Sequence, residues 1–336
     1  MDSGVFFSLS VFLLLVVIAP FSIYLVTCLL PRSKINIKGK YVLITGCDTG
    51  FGRATAIKLD KMGACVLATC LTKEGEQSLK SEASDKLKTF QLDVTNSKQI
   101  KDVYEEIKKE IYPDGLWGLV NNAGIICLSP IEWTSLEDFK RSANVNIWGM
   151  IDVTKTFLPL IKMSKGRVVN ISSAAGRITV PLTASYSVTK YGVEAFSDAL
   201  RREMQPWQIK VTILEPGRFA TTICSPDFSE KELRKGWNQL SEELKNDYGE
   251  EFLEKAISIV KNIPCDSDIN QVVNAIIDAL TSRFPSDRYV VGTDARYGFI
   301  PLSFLPAFIA DFILRVLLNP PHPRTCYHLR ASTTTQ

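Results

Sequence analysis

The sequence predicts an α/β chain, a doubly wound parallel sheet of seven strands preceded by one N-terminal transmembrane helix. Three observations carry this. From Tyr41 to Gly292, short β-branched and apolar runs alternate with helical stretches. The first run ends in a glycine-rich turn that opens into a helix. Finally, Val5 to Leu30 carries no charged side chain.

That uncharged run would extend about 39 Å at the helical rise of ~1.5 Å per residue, enough for a hydrocarbon core of ~30 Å. Pro20 is placed to kink it. A cleaved signal peptide would have a basic start and a shorter apolar core. A mitochondrial transit peptide would need arginine, and no Arg or Lys precedes Arg32. Arg32, Lys34, Lys38 and Lys40 follow at once, so the positive-inside rule places the main domain in the cytosol. The expected organisation is an anchor over residues 1–31 and a catalytic domain over 38–295.

Composition narrows the chemistry. The 336 residues suit one large α/β domain with appendages, and 46% hydrophobic residues can fill its core. A net charge of +3 without a basic, aromatic-studded stripe argues against nucleic acid. Eight cysteines without a C-x-x-C read as reduced packing residues. The only histidines, His322 and His328, lie in a proline-rich tail. A Ser–His–acid hydrolase and a His-ligated zinc are therefore poorly supplied, and no metal is expected. Acid–base work falls to Tyr, Lys, Asp, Glu or Cys.

The first strand, Tyr41 to Thr45, runs into Gly46-Cys47-Asp48-Thr49-Gly50-Phe51-Gly52, then a helix over Arg53 to Met62 stopped by Gly63. Strand, glycine turn and helix form a Rossmann-like dinucleotide element. Glycines let the backbone approach a pyrophosphate, and the helix amino terminus offers free N–H groups. Strands over Ala64–Cys70 and Leu87–Val94, a helix over Ser97–Ile111 and a strand over Leu116–Val120 continue the alternation, which implies right-handed parallel crossovers. No Gly-Lys-Ser/Thr is present, which excludes an NTPase P-loop.

The fifth strand, Gly166 to Ser173, leads toward the site; its Asn170-Ile171-Ser172 sequon falls in a buried strand. Tyr186 and Lys190 open the next helix, which runs to about Met204, and lie four residues apart on one face. Strand six, Ile209–Leu214, ends at Glu215-Pro216-Gly217. Phe228 to Ile263 is charged and helical, with Trp237, Leu240, Tyr248 and Phe252, and makes 218–265 a candidate substrate lid or a solvated helical pair. A helix over Asp268–Leu280 and a seventh strand at Arg288–Gly292 follow. Tyr297 to Leu318 is apolar but broken by Asp311 and Arg315, so 296–320 reads as a pocket cap or interfacial membrane contact, and 321–336 as a flexible tail.

The order of motifs resembles the short-chain dehydrogenases/reductases. It comprises Thr45-Gly46 with Gly50 and Gly52, Asn121-Asn122-Ala123-Gly124, Asn146, Ser173, Tyr186, Lys190 and Pro216-Gly217. The resemblance implies that Gly46, Gly50, Phe51 and Gly52 wrap a pyrophosphate and Asp93 bonds the adenine. Asn122, Ala123 and Gly124 would line the cofactor, beside Pro216, and Thr221 would contact the nicotinamide amide. Asn146, Ser173, Tyr186 and Lys190 would form a catalytic tetrad. Ser173 would hold the substrate oxygen, Lys190 the nicotinamide ribose, and Asn146 a water chain to Lys190. The free tyrosine pKa of ~10 would fall beside the lysine and a positive nicotinamide, so that Tyr186 takes a proton from an alcohol as hydride leaves carbon.

NAD is favoured over NADP, because Asp48 in the glycine turn would repel a 2′-phosphate; Lys73 is the opposing sign. Asp48 with Phe51, Leu116–Gly124 and Tyr191–Asp198 resemble the retinol and 17β-hydroxysteroid dehydrogenases of the endoplasmic reticulum membrane. They also resemble mitochondrial 3-hydroxybutyrate dehydrogenase, as does Thr154–Ser173. The anchor favours the first, with a lipophilic alcohol or ketone as substrate and membrane lipid as partner. A carboxylate substrate would need a cation, for which Arg218 is the candidate. The resemblance further implies homodimers or homotetramers through the helices carrying Asn146 and Tyr186. A non-catalytic scaffold on this fold is the rival from another class, and the intact tetrad argues against it.

Overall fold

The computed structural model describes Val11, residues 14–19 and residues 33–324. Strands β1 (Tyr41–Ile44), β2 (Cys65–Cys70), β3 (Lys88–Gln91), β4 (Gly118–Asn121), β5 (Arg167–Ile171), β6 (Lys210–Pro216) and β7 (Arg288–Val291) form one sheet. Their order is β3-β2-β1-β4-β5-β6-β7, and every pairing is parallel. This is the expected Rossmann-like α/β arrangement. The order reverses direction between β1 and β4, which opens a crevice at the carboxyl ends of those strands.

The sheet is buried on both faces because its strands alternate between two cores. Val42 and Ile44 of β1 join Ala56 and Leu59 of α1 (Gly50–Lys61) on one side. Leu43 points the other way, into Ile100 and Ile107 of α3 (Ser97–Ile111) and Phe157 of α5 (Met150–Ser164). Between them, α2 (Lys73–Lys80) follows β2 and α4 (Leu136–Ala143) follows β4. Asn170 of the sequon is fully buried and donates to Ser197 Oγ, so β5 presents no acceptor there.

Several boundaries differ from expectation for physical reasons. Helix α1 begins at Gly50 rather than Arg53, because the glycine turn itself becomes the first helical turn. Strand β3 is shorter than Leu87–Val94 because it is an edge strand paired only with β2, whose ladder ends at Cys70. The segment read as a helical pair is three helices: α7 (Pro226–Asn238), α8 (Glu242–Tyr248) and α9 (Glu250–Asn262). The breaks fall at Ser241, whose hydroxyl accepts from Leu244 N–H, and at Gly249 with φ 75°. These helices have a small core of their own, in which Trp133 packs against Trp237, Tyr248 and Phe252 at 5.1–5.4 Å between ring centroids. Downstream lie α6 (Ala184–Glu203) in its place before β6, α10 (Asn270–Thr281) before β7, and α11 (Ala307–Leu318). Phe308, Phe312 and Val316 line one exposed face of α11, while Ala310 and Leu314 are buried.

Contacts divide the chain into a main unit, Ile37–Leu280 with Pro285–Gln336, and a small one, Met1–Asn36 with Thr281–Phe284. In the small unit, Ile35 N–H donates to Thr281 O at 2.6 Å and Lys34 bridges Ser282. Most of the expected anchor over 1–31, and the tail beyond residue 324, lie outside the described residues. Among the described residues no helix is long and apolar enough to cross a membrane.

Phe157 is fully buried at the centre of the second core. Phe157→Ala is expected to cost ~3–5 kcal/mol, read as a lowered urea midpoint with an unchanged slope.

Candidate active site

The carboxyl ends of the central strands open onto a cavity of about 520 Å³. Gly46, Asp48, Gly50 and Phe51 line it from the glycine turn, and Asp93 from the loop after β3. Asn122, Ala123 and Gly124 line it after β4, Ser173 after β5, and Pro216 and Thr221 at and after the end of β6. Tyr186 and Lys190 reach it from α6. The structure therefore gathers all but two of the sequence-predicted residues around one space. Gly52 and Asn146 stand behind the wall.

The turn is held against β4 by a small polar lock. Thr45 Oγ1 accepts from Asn122 N–H and Ala123 N–H, each at 3.0 Å. Asn122 Nδ2 donates back to Thr45 O at 2.8 Å and Gly46 O at 2.9 Å. Gly46 has φ 70°, and a Cβ on it would lie 2.9 Å from Ala123 Cα. A Cβ on Gly52 would lie 2.4 Å from both Asn122 Nδ2 and Gly46 O, so Gly52 keeps the lock closed from behind. Thr49 precedes α1 without a side-chain cap bond, and Gly50 and Phe51 of the first turn line the cavity. An uncapped helix start beside glycine backbone suits a pyrophosphate, so the residues present fit a dinucleotide.

Asp48 crosses to the end of β2. Its carboxylate accepts from Leu71 N–H at 2.8 Å, Thr72 N–H at 2.9 Å and Thr72 Oγ1 at 2.8 Å. Strand β2 ends in Thr69-Cys70 without an acid, and Asp48 brings one to that place from the turn. Leu71 and Thr72 line the cavity but were not anticipated; the signal available was the short spacing between β2 and a helix capped by Thr72. Asp93 Oδ1 is engaged by Thr95 N–H and Oγ1, both at 2.8 Å.

At the other end, Ser173 Oγ accepts from Ala175 N–H at 3.1 Å and lies 3.4 Å from Pro216 O. Lys190 is buried, and its Nζ donates to Ile171 O at 2.8 Å while lying 5.4 Å from the Tyr186 ring centroid. Asn146 sits in a π-helical turn, Asn144–Gly149, which re-aims one side chain inward. Its Oδ1 accepts from Ile125 N–H at 2.8 Å, and its Nδ2 donates to Ile125 O and Thr189 Oγ1, both at 2.9 Å. Asn146 thus holds the neighbour of Lys190, whereas Asn144 is exposed.

Burial pushes the Tyr186 phenol up, Cys224 adds to the rise, and the Ser173 hydroxyl opposes it. Burial pulls Lys190 down to about 8, against the pull of Glu194. The protein's own groups therefore do not lower Tyr186 as the sequence reading expected; the ammonium is committed to Ile171 O instead of the phenol. Of the candidate lid, Phe219 and residues 221–224 line the cavity, whereas among the described residues neither α7–α9 nor 296–320 does. Arg218 is not a lining residue either, and its Nη2 lies 3.4 Å from Val260 O.

Comparison with known proteins defines the class. Residues 40–232 match the family model described as short chain dehydrogenase. Retinol dehydrogenase 7 of Rattus norvegicus is 44% identical over 283 residues, 83% of this chain and 89% of that protein. The 17-beta-hydroxysteroid dehydrogenase type 6 of Homo sapiens is 43% identical over 284 residues, 83% of this chain and 89% of that one. A short chain dehydrogenase from Burkholderia cenocepacia J2315, solved with NADP, shares the fold with TM-score 0.63 at 21% identity, covering 85% of this chain and 100% of that one. The chain belongs to the short-chain dehydrogenase family. It is an NAD(P)-dependent oxidoreductase that interconverts alcohols and carbonyls.

Gly52→Ala is expected to weaken NADH binding at least about tenfold, ~1.4 kcal/mol, in a fluorescence titration. Its far-UV circular dichroism should match the parent.

Proposed function

We propose that the protein is an NAD-linked dehydrogenase/reductase for a lipophilic alcohol, a hydroxysteroid or retinol, and its carbonyl. The carrying observation is that Ser173, Tyr186 and Lys190 meet in the same cavity as the glycine turn. The bound nicotinamide supplies the hydride acceptor or donor. Ser173 holds the substrate oxygen, and Tyr186 takes its proton in oxidation and returns it in reduction. The positive charge of a bound oxidised nicotinamide, added to that of Lys190 at 5.4 Å from the Tyr186 ring centroid, would favour the ionised phenol. Asn146 keeps α6 in register through Thr189. Gly46, Gly50 and Phe51 hold the pyrophosphate against the start of α1, with Gly52 behind them. Asp93, Asn122, Ala123, Gly124, Pro216 and Thr221 complete the cofactor's walls.

The similarity to a retinol dehydrogenase and a hydroxysteroid dehydrogenase supports the substrate class. So does an apolar lining that includes Ile125, Phe219 and Ile223. A hydroxy-acid substrate is disfavoured because Arg218, the candidate partner for its carboxylate, does not reach the cavity. The preference for NAD over NADP rests on Asp48, whose carboxylate lies beside Leu71 and Thr72, where a 2′-phosphate would bring further negative charge. The uncharged run from Val5 to Leu30 with the basic residues after it supports an endoplasmic reticulum membrane anchor and a cytosolic catalytic domain.

Tyr186→Phe is expected to lower NADH formation from all-trans-retinol and from an androgen at least about 100-fold with dinucleotide binding retained. Unchanged turnover would overturn the assignment of Tyr186. Asp48→Ala should raise the ratio of NADP to NAD turnover; a ratio equal to that of the parent would remove Asp48 as the discriminating group.

A further inference from the structure

Near Lys190 lies an ionic cluster, buried at Glu194 and Glu215 and half-buried at Arg288, Arg177 and Asp198, that the proposed proton chemistry does not use. Glu194 follows Lys190 by one helical turn on α6, and both side chains are buried. Arg288, at the start of β7, forms an ion pair with Glu194, reaches Glu215 Oε1 at 3.1 Å and Asp198 Oδ2 at 3.0 Å. Glu215 is fully buried at the end of β6, next to Pro216, and also pairs with Arg177 at 3.0 Å. Arg177 belongs to the turn that follows Ser173. At Gly176 this turn touches α6 so closely that a Cβ would lie 2.8 Å from Ser172 Oγ, 3.0 Å from Lys190 O and 3.1 Å from Glu194 Cγ.

Asp198 is also paired with Arg201 at 3.5 Å and Arg202 at 3.6 Å, so the two buried carboxylates, Glu194 and Glu215, share Arg288, with Arg177 on Glu215, and the buried ammonium of Lys190 stands one helical turn from Glu194. Glu194 is the charged group that acts on Lys190. A buried ionic cluster is a costly way to hold a fold together, because its charges give up solvation that apolar packing would not require. Its placement ties together the pieces that carry Ser173, Tyr186 with Lys190, and Pro216.

We propose that Glu194, held by Arg288 against Glu215, is a positioning residue for Lys190: it fixes the lysine's place on the sheet and supplies the negative charge that faces it. This rests on the reading of Tyr186 and Lys190 as the proton-transfer pair. In carbonyl reduction both must be protonated, so activity falls as pH rises through the pair's titration. Removing a nearby negative charge makes both groups lose their protons more easily. The alkaline limb therefore moves to lower pH.

The test is the pH profile of NADH-dependent reduction of retinal or an androgen ketone by the full chain. Glu194→Gln should move the alkaline limb down by on the order of one pH unit. Glu194→Asp, which keeps the charge, should leave the limb within a few tenths of a unit of the parent even where kcat falls. A folded Glu194→Gln with its limb at the parent's position would overturn the proposal and reduce the cluster to a structural staple. Should Glu194→Gln not fold, Glu215→Gln removes a charge further from the lysine, so the limb should shift the same way by less; an unmoved limb overturns the proposal here too. Tyr186→Phe, run alongside, separates the two ideas. An active Tyr186→Phe sinks the underlying reading, whereas an inactive one with an unmoved Glu194→Gln limb sinks only the role of Glu194.

Discussion

The site hangs from the bond between the Lys190 ammonium and the carbonyl oxygen of Ile171. A charged donor in a buried place must find an acceptor, and a bond to a charged group is among the stronger kinds. Here the acceptor is the last residue of β5, so one interaction sets the depth of α6 against the sheet. Tyr186, one turn earlier on the same face, is then carried to the mouth of β5, where Ser173 emerges. Asn146 bonds the adjoining residue, Thr189, and so gives α6 a second tie.

The dinucleotide end is organised on a different principle. There the close approach of two backbones does the positioning, and side chains secure it. Thr45 and Asn122 exchange bonds across the junction of β1 and β4, and Gly46 and Gly52 leave the space in which this can happen. Both ends stand on neighbouring strands of one parallel sheet. The distance between the phosphate-binding backbone and the proton-transfer pair is thereby set by strand pairing.

Much of this was legible in the sequence because the motifs are local. A strand, a glycine turn and a helix start are contiguous, and the Ser173, Tyr186 and Lys190 spacing lies within one strand, turn and helix. The alternation of patterns likewise predicted the seven strands in chain order. What escaped depends on contacts distant in sequence. The reach of Asp48 to Leu71 and Thr72 is set by how β1 and β2 lie together, which no local pattern encodes. The end of β3 depends on the length of its only neighbour. The break of 226–262 into three helices turned on Ser241 and Gly249, which a helical pattern of apolar residues passes over. The rise of Tyr186 reflects burial and the nearness of Cys224, and neither follows from a four-residue spacing.

The aromatic core of the 226–262 segment has an optical consequence. Two of the chain's five tryptophans, Trp133 and Trp237, sit in it, with Tyr248 and Phe252 also against Trp133. Rings packed this closely at tilted and edge-on angles couple their electronic transitions, giving near-ultraviolet circular dichroism that depends on their mutual angle. The sheet has no comparable pair of indoles. The segment beside the cavity therefore carries its own signal, separable from the far-ultraviolet bands of the strands and helices that hold the site.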